Sequence, residues 1–396
     1  MEFIDSTEDS AFRAQVRGWL RANVPPELAH KVAVGEELMR DEHLRWHRLL
    51  AAQGWVAPTW PQEWGGTGWS LTQRFIFDEE CYLASAPQIV AFGVLMCAQV
   101  LFKFGTEAQK QRFLPRIYRG DDFWVQGYSE PSAGSDLAGL KTTAVRQGDK
   151  YIVNGQKIWT SLAQHGDWIF CLVRTNPDAK KQEGISFLLI DLKSPGITVR
   201  PIDLMDGNAD ANEVFFDNVE VPAENLVHEE NQGWTVAKHL LGHERMNAGR
   251  IGLSKRFLAM LKQRAAIQTD GAGRRLLDVP RFRDRMTRAE VDLMALELTA
   301  RRFLNELRSG RPLGAEVSML KLKGTDIQQQ LTELLVQVYG PLAAPFRPTD
   351  ADTAFEPFDL ARACLVSRYN FYRAASIYAG SSEVQRNILA KATLGL

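Results

Sequence analysis

The stretch Lys150-Tyr151-Ile152-Val153-Asn154-Gly155-Gln156-Lys157-Ile158-Trp159 determines the fold class of this chain. Two extended runs flank Asn154-Gly155, and Asn-Gly between such runs is the strongest short signal for a β-hairpin. Further extended runs follow, separated by turn residues: Trp168 to Val173, Ile185 to Ile190, Ile197 to Arg200 and Val214 to Phe216. Their number and spacing predict a small antiparallel sandwich or barrel.

The segments on either side of these strands have helical periodicity. Phe12, Val16 and Leu20 recur at helical spacing in the first part, and Leu331 and Leu335 do so in the last. Helices, then strands, then helices, with no βαβ alternation, is an α+β pattern and argues against a Rossmann domain. We therefore predict a mostly helical protein of three domains: an N-terminal helical domain (1–122), a central antiparallel β-barrel domain (123–230) and a C-terminal helical domain (231–396).

Composition excludes several classes of protein. The 396 residues are 45% hydrophobic, which is ample for a buried core, and their net charge is −1. A chain without excess positive charge has no field to attract a phosphate backbone, so we expect no nucleic-acid partner.

The longest apolar run, 89–102, is shorter than the roughly 20 residues that span a bilayer. The first five residues are acidic and do not form a basic, apolar leader, so we expect a soluble, cytoplasmic protein.

Motifs for metal and thiol chemistry are incomplete. The four cysteines have no C-x-x-C spacing, which predicts neither a disulfide framework nor a thiolate zinc site. His43/His47 and His239/His243 are i,i+4 pairs, but neither has the glutamate of an H-E-x-x-H motif. We expect no metal.

The loop from Gln126 to Asp136 is a candidate binding segment, because small hydroxyl and glycine residues are concentrated where helices give way to strands. Such a loop exposes amide and hydroxyl groups to a polar planar ligand or a phosphate. Ser161, just after Ile158-Trp159, offers a hydroxyl beside an indole, which suits an aromatic ring. A simple Ser/Gly turn and a half-buried strand tryptophan are the alternatives.

Glu244 is the candidate catalytic carboxylate. A helix predicted after Gly233 carries apolar residues every three or four positions, and Glu244 falls on the same stripe, so its side chain is expected to point inward. An inward carboxylate has a raised pKa and is a plausible general base. The alternative is a buried ion pair with an arginine such as Arg245 or Arg250.

The segment Ala379-Gly380-Ser381-Ser382-Glu383-Val384-Gln385-Arg386 predicts the start of a last helix. Ser382 and Gln385 have the spacing of a capping box. A glycine and free amides at a helix N-terminus favour a carbonyl oxygen or an anion.

Six ordered motifs resemble the acyl-CoA dehydrogenases, flavoproteins that oxidise acyl-CoA thioesters to 2,3-enoyl-CoA. The motifs are Gly54-Trp55 with 61–66, 129–136, 154–161, 214–222, Glu244-Arg245 and 379–386. The resemblance implies bound FAD, an acyl-CoA substrate, an electron-transfer flavoprotein as acceptor, and a C-terminal four-helix bundle.

The resemblance also implies residue roles. Gln126, Tyr128 and Ser129 would lie along the flavin, and Trp159 and Ser161 would flank its reactive ring. Ser381 and Glu383 would approach the flavin from the last helix. Ser135 and Arg245 would lie near the CoA portion of the bound molecules, and Gly380 near the acyl group. Many members carry the catalytic carboxylate just before Gly380, where this chain has Ala379. Other members carry it at the place of Glu244, which would take the α-proton while the Ala379 amide and a ribityl hydroxyl stabilise the thioester oxygen.

Two departures from the family pattern concern assembly. The Arg-x-x-Phe-Gly stretch that reaches a neighbouring subunit's flavin is missing from 267–275, and the usual Gly-Gly after Gln337 is Gly340-Pro341. The resemblance implies that both regions, with Gln337 and Gly340 as cofactor-binding residues, contribute to a partner's cofactor. Similar losses occur in the large subunits of pimeloyl-CoA and steroid side-chain enzymes, in which unlike subunits share a flavin. A homotetramer with a modified cleft is equally compatible, as are a flavin oxidase or monooxygenase, or a non-catalytic subunit.

Small residues on the expected walls of the acyl pocket leave its size open. Gly93, Cys97 and Ala98 lie on one side, and Gly242 and Ala248 on the other. Small residues at a helix interface either allow close packing or leave room for a ligand.

Overall fold

The computed structural model of the chain describes residues 6–243, 249–343 and 357–395. Helices precede and follow a sheet, as the periodicity predicts. The helices before the sheet are α1 (Thr7–Asn23), α2 (Pro26–Val34), α3 (Arg40–Gln53), α4 (Leu71–Leu83), α5 (Ala98–Phe104) and α6 (Glu107–Arg119). The strands are β1 (Trp124–Gly127), β2 (Thr143–Gln147), β3 (Lys150–Ser161), β4 (Trp168–Arg174), β5 (Ile185–Asp191), β6 (Ile197–Ile202), β7 (Ala211–Pro222) and β8 (Leu226–Val227). The helices after the sheet are α7 (Gly233–His243), α8 (Ile251–Ile267), α9 (Pro280–Arg308), α10 (Ser318–Tyr339), α11 (Pro357–Arg373) and α12 (Ser382–Leu394).

The small residues of the N-terminal domain serve close packing. A π-helical turn, Phe92–Cys97, precedes α5. A Cβ at Gly93 would lie 3.2 Å from the Ile117 side chain and 3.3 Å from Trp124, while Cys97 and Ala98 are completely buried. These three residues are therefore part of the domain core and do not leave space for a ligand.

The hairpin predicted at Asn154-Gly155 is wrong, because β3 continues through it as one strand. Asn154 lies opposite two residues of β7, Asp217 and Asn218, and this bulge absorbs the irregularity. The true two-residue turn is Gly148-Asp149 between β2 and β3. Glycine is required at position 155 because the chain at Thr142 approaches closely, not because the strand turns. A Cβ at Gly155 would lie 2.6 Å from the Thr142 hydroxyl.

The eight strands form one sheet in the order β6-β7-β3-β2-β4-β5-β8, and β1 joins it beside β4. Most pairings are antiparallel, as predicted. The β1–β4 pairing and one contact between β2 and β4 are parallel. The strand β1 thereby enters the sheet directly from α6, and the loop after it passes over β3.

Helices α8 to α11 form the C-terminal bundle around a second apolar core, with α10 in contact with the other three. The bundle meets the N-terminal domain where α8 crosses α4. Gly252 makes this crossing close, because a Cβ there would lie 2.9 Å from Glu79 Cα and from the Tyr82 ring.

The single long helix predicted from Trp234 through Ile251 is wrong in its extent. Arg250 has a left-handed φ of 43° directly before α8 begins, so one unbroken helix cannot run from Trp234 to Ile251. The inward stripe also differs, since Val236, Ala237 and Leu240 are buried whereas Leu241 is 46% exposed.

Within the described ranges, no helix is long and apolar enough to cross a membrane. The same ranges contain no group of three or more His, Cys, Asp or Glu side chains that could hold a metal ion.

Candidate active site

A buried ion pair fixes the loop that follows β1. Lys157 Nζ lies 2.7 Å from Glu130 Oε1 and donates to the Tyr128 carbonyl at 3.2 Å. Glu130 also accepts from the amides of Lys141 and Thr142. Burial alone would raise the pKa of Glu130, but Lys157 and these donors outweigh it and bring the pKa below its usual value. The loop is therefore held against β3 near both of its ends.

A bulge in β3 exposes the tryptophan that the sequence singles out. Ile158 and Trp159 together face one residue of β7, and bulges of this kind redirect side chains. Trp159 has a φ of 60°, which is rare for an aromatic residue, and it is 57% exposed. The Ile158 amide donates to the Ser129 carbonyl at 2.9 Å, so the bulge and the loop form one surface.

Three polar side chains on β1, on the loop after it and on β3 do not use their hydrogen-bonding groups. Gln126, Ser129 and Ser161 are half-buried, and none makes a side-chain hydrogen bond to another described residue. An exposed aromatic face with nearby amide and hydroxyl groups fits the flat, polar-edged isoalloxazine ring of a flavin.

The side chains of Tyr128 and Ser135, also predicted to bind the cofactor or substrate, are positioned differently from those of Gln126, Ser129 and Ser161. The Tyr128 ring is buried and packs edge-to-face on Phe170, so a ligand over the loop would meet the Tyr128 main chain rather than its ring. Ser135 is exposed farther along the same loop.

The turn before α12 carries a strained residue with a free amide. Ala379 has a φ of 53° and is exposed, and Gly380 follows with a φ of 83°. The left-handed φ of Gly380 is the reason for glycine there, because the nearest atom to an added Cβ is the movable end of the Gln385 side chain. Among the described residues, no group accepts the Ala379 N–H.

The cap of α12 differs by one residue from the prediction. Ser381, rather than Ser382, is the N-cap, and its hydroxyl accepts from the Val384 amide at 3.3 Å. Glu383 is exposed in the first turn. Hydrogen bonds from its own amide and from Ser381 lower the pKa of Glu383.

The helix α10 supports both this turn and the chain that enters α8. Lys321 Nζ and the Thr325 hydroxyl donate to the Ala375 carbonyl at 2.6 and 3.3 Å. Gly324 lies so close to Gly249 that a Cβ would be 2.5 Å from its carbonyl oxygen. One helix thus positions the segment before Ala379 and the end of the segment that carries Glu244.

Glu244 and Arg245 lie outside the described residues. Because Leu241 is exposed, the apolar stripe no longer argues for an inward Glu244, and its assignment depends on the family resemblance and on Ala379.

Gln337 and Gly340 lie at the end of α10. The Gln337 amide is bound by Arg285 and Glu333, and Gly340 has a φ of 53° and is exposed. Among the residues that the structure describes, no hydrogen bond or salt bridge joins Gln337 or Gly340 to the surface around Trp159.

The Lys157–Glu130 pair was not predicted, although the sequence carries a signal for it. Tyr151, Val153, Gly155 and Lys157 alternate along β3, and the first two are apolar and buried. A lysine on such a face needs a buried carboxylate, and the nearby Glu130 is the natural candidate.

Three family models match the chain in order. They are the acyl-CoA dehydrogenase N-terminal domain over residues 6–121, the middle domain over 126–219 and the C-terminal domain over 231–394.

Individual proteins match over nearly the whole chain. Acyl-CoA dehydrogenase IpdE1 of Mycobacterium tuberculosis is 39% identical over 392 residues, which cover 97% of this chain and 97% of that protein. A chain of the ChsE4-ChsE5 complex from Mycobacterium tuberculosis superposes with a TM-score of 0.85 at 32% identity and covers 100% of this chain and 99% of its own. A chain of the Tcur3481-Tcur3483 steroid ACAD gives a TM-score of 0.85 at 28% identity, with coverages of 100% and 99%.

Lys157→Met should cost about 3–5 kcal/mol of unfolding free energy, because it leaves the Glu130 carboxylate buried without its partner. Lys150→Met is the matched control on the same strand, since Lys150 pairs with Glu220 at the surface and should cost only ~0–1 kcal/mol. Denaturant unfolding monitored by tryptophan fluorescence compares the two variants, and equal losses would contradict a structural role for the buried pair.

Proposed function

The chain belongs to the acyl-CoA dehydrogenase family, and from that premise we propose that it is an FAD-dependent enzyme with Glu244 as its catalytic base. The reaction converts an acyl-CoA to its 2,3-enoyl-CoA. The observation that carries the proposal is the surface at Trp159, where a strained bulge exposes an indole among unbonded amide and hydroxyl groups. The strain at this position argues for function, because a φ of 60° is unfavourable for tryptophan and persists only where its surroundings enforce it.

The residues around Trp159 would hold FAD. Gln126, the Tyr128 main chain, Ser129 and Ser161 would bind the flavin ring, and Ser381 and Glu383 would meet a cofactor from α12. When bound, FAD supplies the two-electron acceptor that receives the β-hydrogen as hydride.

The protein contributes proton transfer and stabilisation of charge. Glu244 would remove the α-proton, and the electron pair of that C–H bond would form the new double bond as the β-hydrogen departs. Negative charge then develops on the thioester oxygen, and the Ala379 N–H would donate to it. This amide has no internal acceptor among the described residues, and its geometry is set by the left-handed turn.

Glu244→Gln should fold, bind FAD and lose dehydrogenation. Loss of a general base typically lowers the rate by ~10²–10⁴-fold or more. Single-turnover bleaching of the flavin absorbance by acyl-CoA measures the chemical step directly. Glu229→Gln is a matched control, since Glu229 is exposed shortly before α7. Near-normal bleaching by Glu244→Gln would exclude Glu244 as the base.

We further propose that the chain acts with a second, related subunit. It lacks the Arg-x-x-Phe-Gly stretch and carries Gly340-Pro341 where the family has two glycines. Two of the similar solved structures are named for pairs of proteins, ChsE4-ChsE5 and Tcur3481-Tcur3483.

Expressed alone, the chain should contain less than one flavin per polypeptide, because part of the cofactor surface would be missing. Flavin absorbance against protein mass by multi-angle light scattering gives this ratio. Co-expression with the related subunit should raise flavin occupancy and activity together. A fully flavinated, active homotetramer would contradict the proposal.

The proposed substrates are long, branched or ring-bearing acyl-CoAs, oxidised with an electron-transfer flavoprotein as acceptor. A base at the Glu244 position accompanies branched and long-chain substrates in relatives, and the similar Tcur3481-Tcur3483 protein is described as a steroid ACAD. Gly93, Cys97 and Ala98 do not support this proposal, because they are used in close packing.

Across a series of straight-chain acyl-CoAs, kcat/KM should rise about fourfold per methylene, because each buried CH₂ contributes ~0.8 kcal/mol until the pocket ends. Rates should be followed with an electron-transfer flavoprotein and separately with oxygen. A maximum at four carbons would refute the substrate size, and faster turnover with oxygen would indicate an oxidase.

A further inference from the structure

Charged side chains with unused hydrogen-bonding capacity meet beside the Ala379 turn. Arg250, just before α8, places its guanidinium carbon 5.9 Å from the centre of the Tyr378 ring. Lys321 of α10 places its ammonium 4.7 Å from the same ring. Among the described residues, nothing forms a hydrogen bond or salt bridge with the Arg250 guanidinium.

Asp78 is the α4 carboxylate that faces these cations. The neighbouring Glu79 is already paired with Arg13 and Lys255. The close crossing at Gly252 brings the start of α8 against Glu79 and Tyr82, and Asp78 lies beside them. Asp78 is half-buried and makes no hydrogen bond to any other described residue. Burial raises the pKa of Asp78 to about 6, and Arg250 offsets this only in part.

The charge balance of this group of side chains is positive. Arg250 and Lys321 contribute two cations, and Asp78 contributes at most one negative charge. Burial, together with the repulsion of Arg250, lowers the pKa of Lys321 to about 8. The hydroxyl groups of Tyr82 and Tyr378 also make no hydrogen bond within the described residues. Donors therefore exceed acceptors, and an acceptor oxygen from a ligand would correct the imbalance.

The backbone positions Arg250 firmly. Its φ of 43° is unfavourable for arginine, and Gly249 is held against Gly324 of α10. A residue kept in a strained conformation with an unused guanidinium is typical of a binding position. A hydrocarbon would leave these charges desolvated and unpaired, at a large cost in free energy.

We propose that Arg250 determines substrate specificity by binding an acceptor oxygen on the acyl group other than the thioester oxygen. This inference rests on the proposed function, because Tyr378 adjoins Ala379, whose amide would hold the thioester oxygen. Asp78 and Lys321 adjust the charge around that oxygen. A ring ketone and a carboxylate share the required chemistry.

The test compares CoA thioethers, which bind without reacting, that carry one ring skeleton with a methyl, a ketone or a carboxylate at the far end. Isothermal titration calorimetry is performed on the enzyme with its flavin and, where required, its partner subunit. The native enzyme should bind the ketone or the carboxylate about 10- to 100-fold more tightly than the methyl compound. Preference for the carboxylate identifies an anionic group, and preference for the ketone identifies a neutral one.

Arg250→Met should reduce this preference to within about threefold, whereas Arg264→Met, near the other end of α8, should preserve it. Asp78→Asn should strengthen carboxylate binding several-fold, because it removes the competing negative charge. If Arg250→Met does not fold, the proposal is tested by two other measurements. They are the binding of the three compounds by the native enzyme and the binding of the carboxylate compound by Asp78→Asn.

Equal binding of all three compounds by the native enzyme would overturn the proposal. An equal loss for all three in Arg250→Met would do the same, because it would indicate a structural role. Selective binding without dehydrogenation of the matching thioesters would refute the proposed function and leave this inference standing.

Discussion

The buried ion pair between Lys157 and Glu130 is the constraint on which the candidate cofactor surface depends. Both side chains are almost completely enclosed, so neither charge can regain water without moving the loop or the strand. A buried pair is a weak source of net stability, because desolvation opposes the attraction. We therefore infer that the Lys157–Glu130 pair positions the loop rather than adding net stability. It holds the loop after β1 against β3, next to the bulge that exposes Trp159, and thus places the main chain of Ser129 within hydrogen-bonding distance of Ile158.

The C-terminal part of the site is built on a different principle, the close approach of backbones. Gly324 lets the chain at Gly249 rest directly on α10, and Gly252 lets α8 rest on α4. Lys321 and Thr325 hold the Ala375 carbonyl from the same face of α10. Two strained non-glycine residues, Arg250 and Ala379, are therefore enforced from one helix. Any movement of α10 would displace the proposed oxyanion donor and the proposed specificity residue together.

The sheet and the helical bundle contribute different chemical groups to the site. The sheet presents aromatic area and neutral polar groups, which suit a flat cofactor. The helical bundle presents an unbonded amide and an excess of positive charge, which suit the thioester oxygen and a second oxygen elsewhere on the acyl group. The segment with Glu244 joins α7 to the residue before Arg250, so the proposed base and the proposed specificity residue are close in the chain.

The sequence determined the order of helices, strands and helices, because periodicities of 3.6 and 2 are local properties that survive without tertiary context. It also located the loop at 126–136, Trp159 and the Ala379 turn, since glycine, hydroxyl and aromatic residues in ordered motifs are readable in one dimension. It failed at Asn154-Gly155, where pairing with β7 converted a turn signal into a bulge, and at Leu241, where an apolar side chain is exposed. Tertiary structure alone decided that Lys157 meets Glu130 and that Gly93 packs closely against Trp124. It also decided that Arg250 faces Asp78 without forming a salt bridge to any described residue. Each of these depends on which distant segments come into contact, and a local pattern of residues carries no such information.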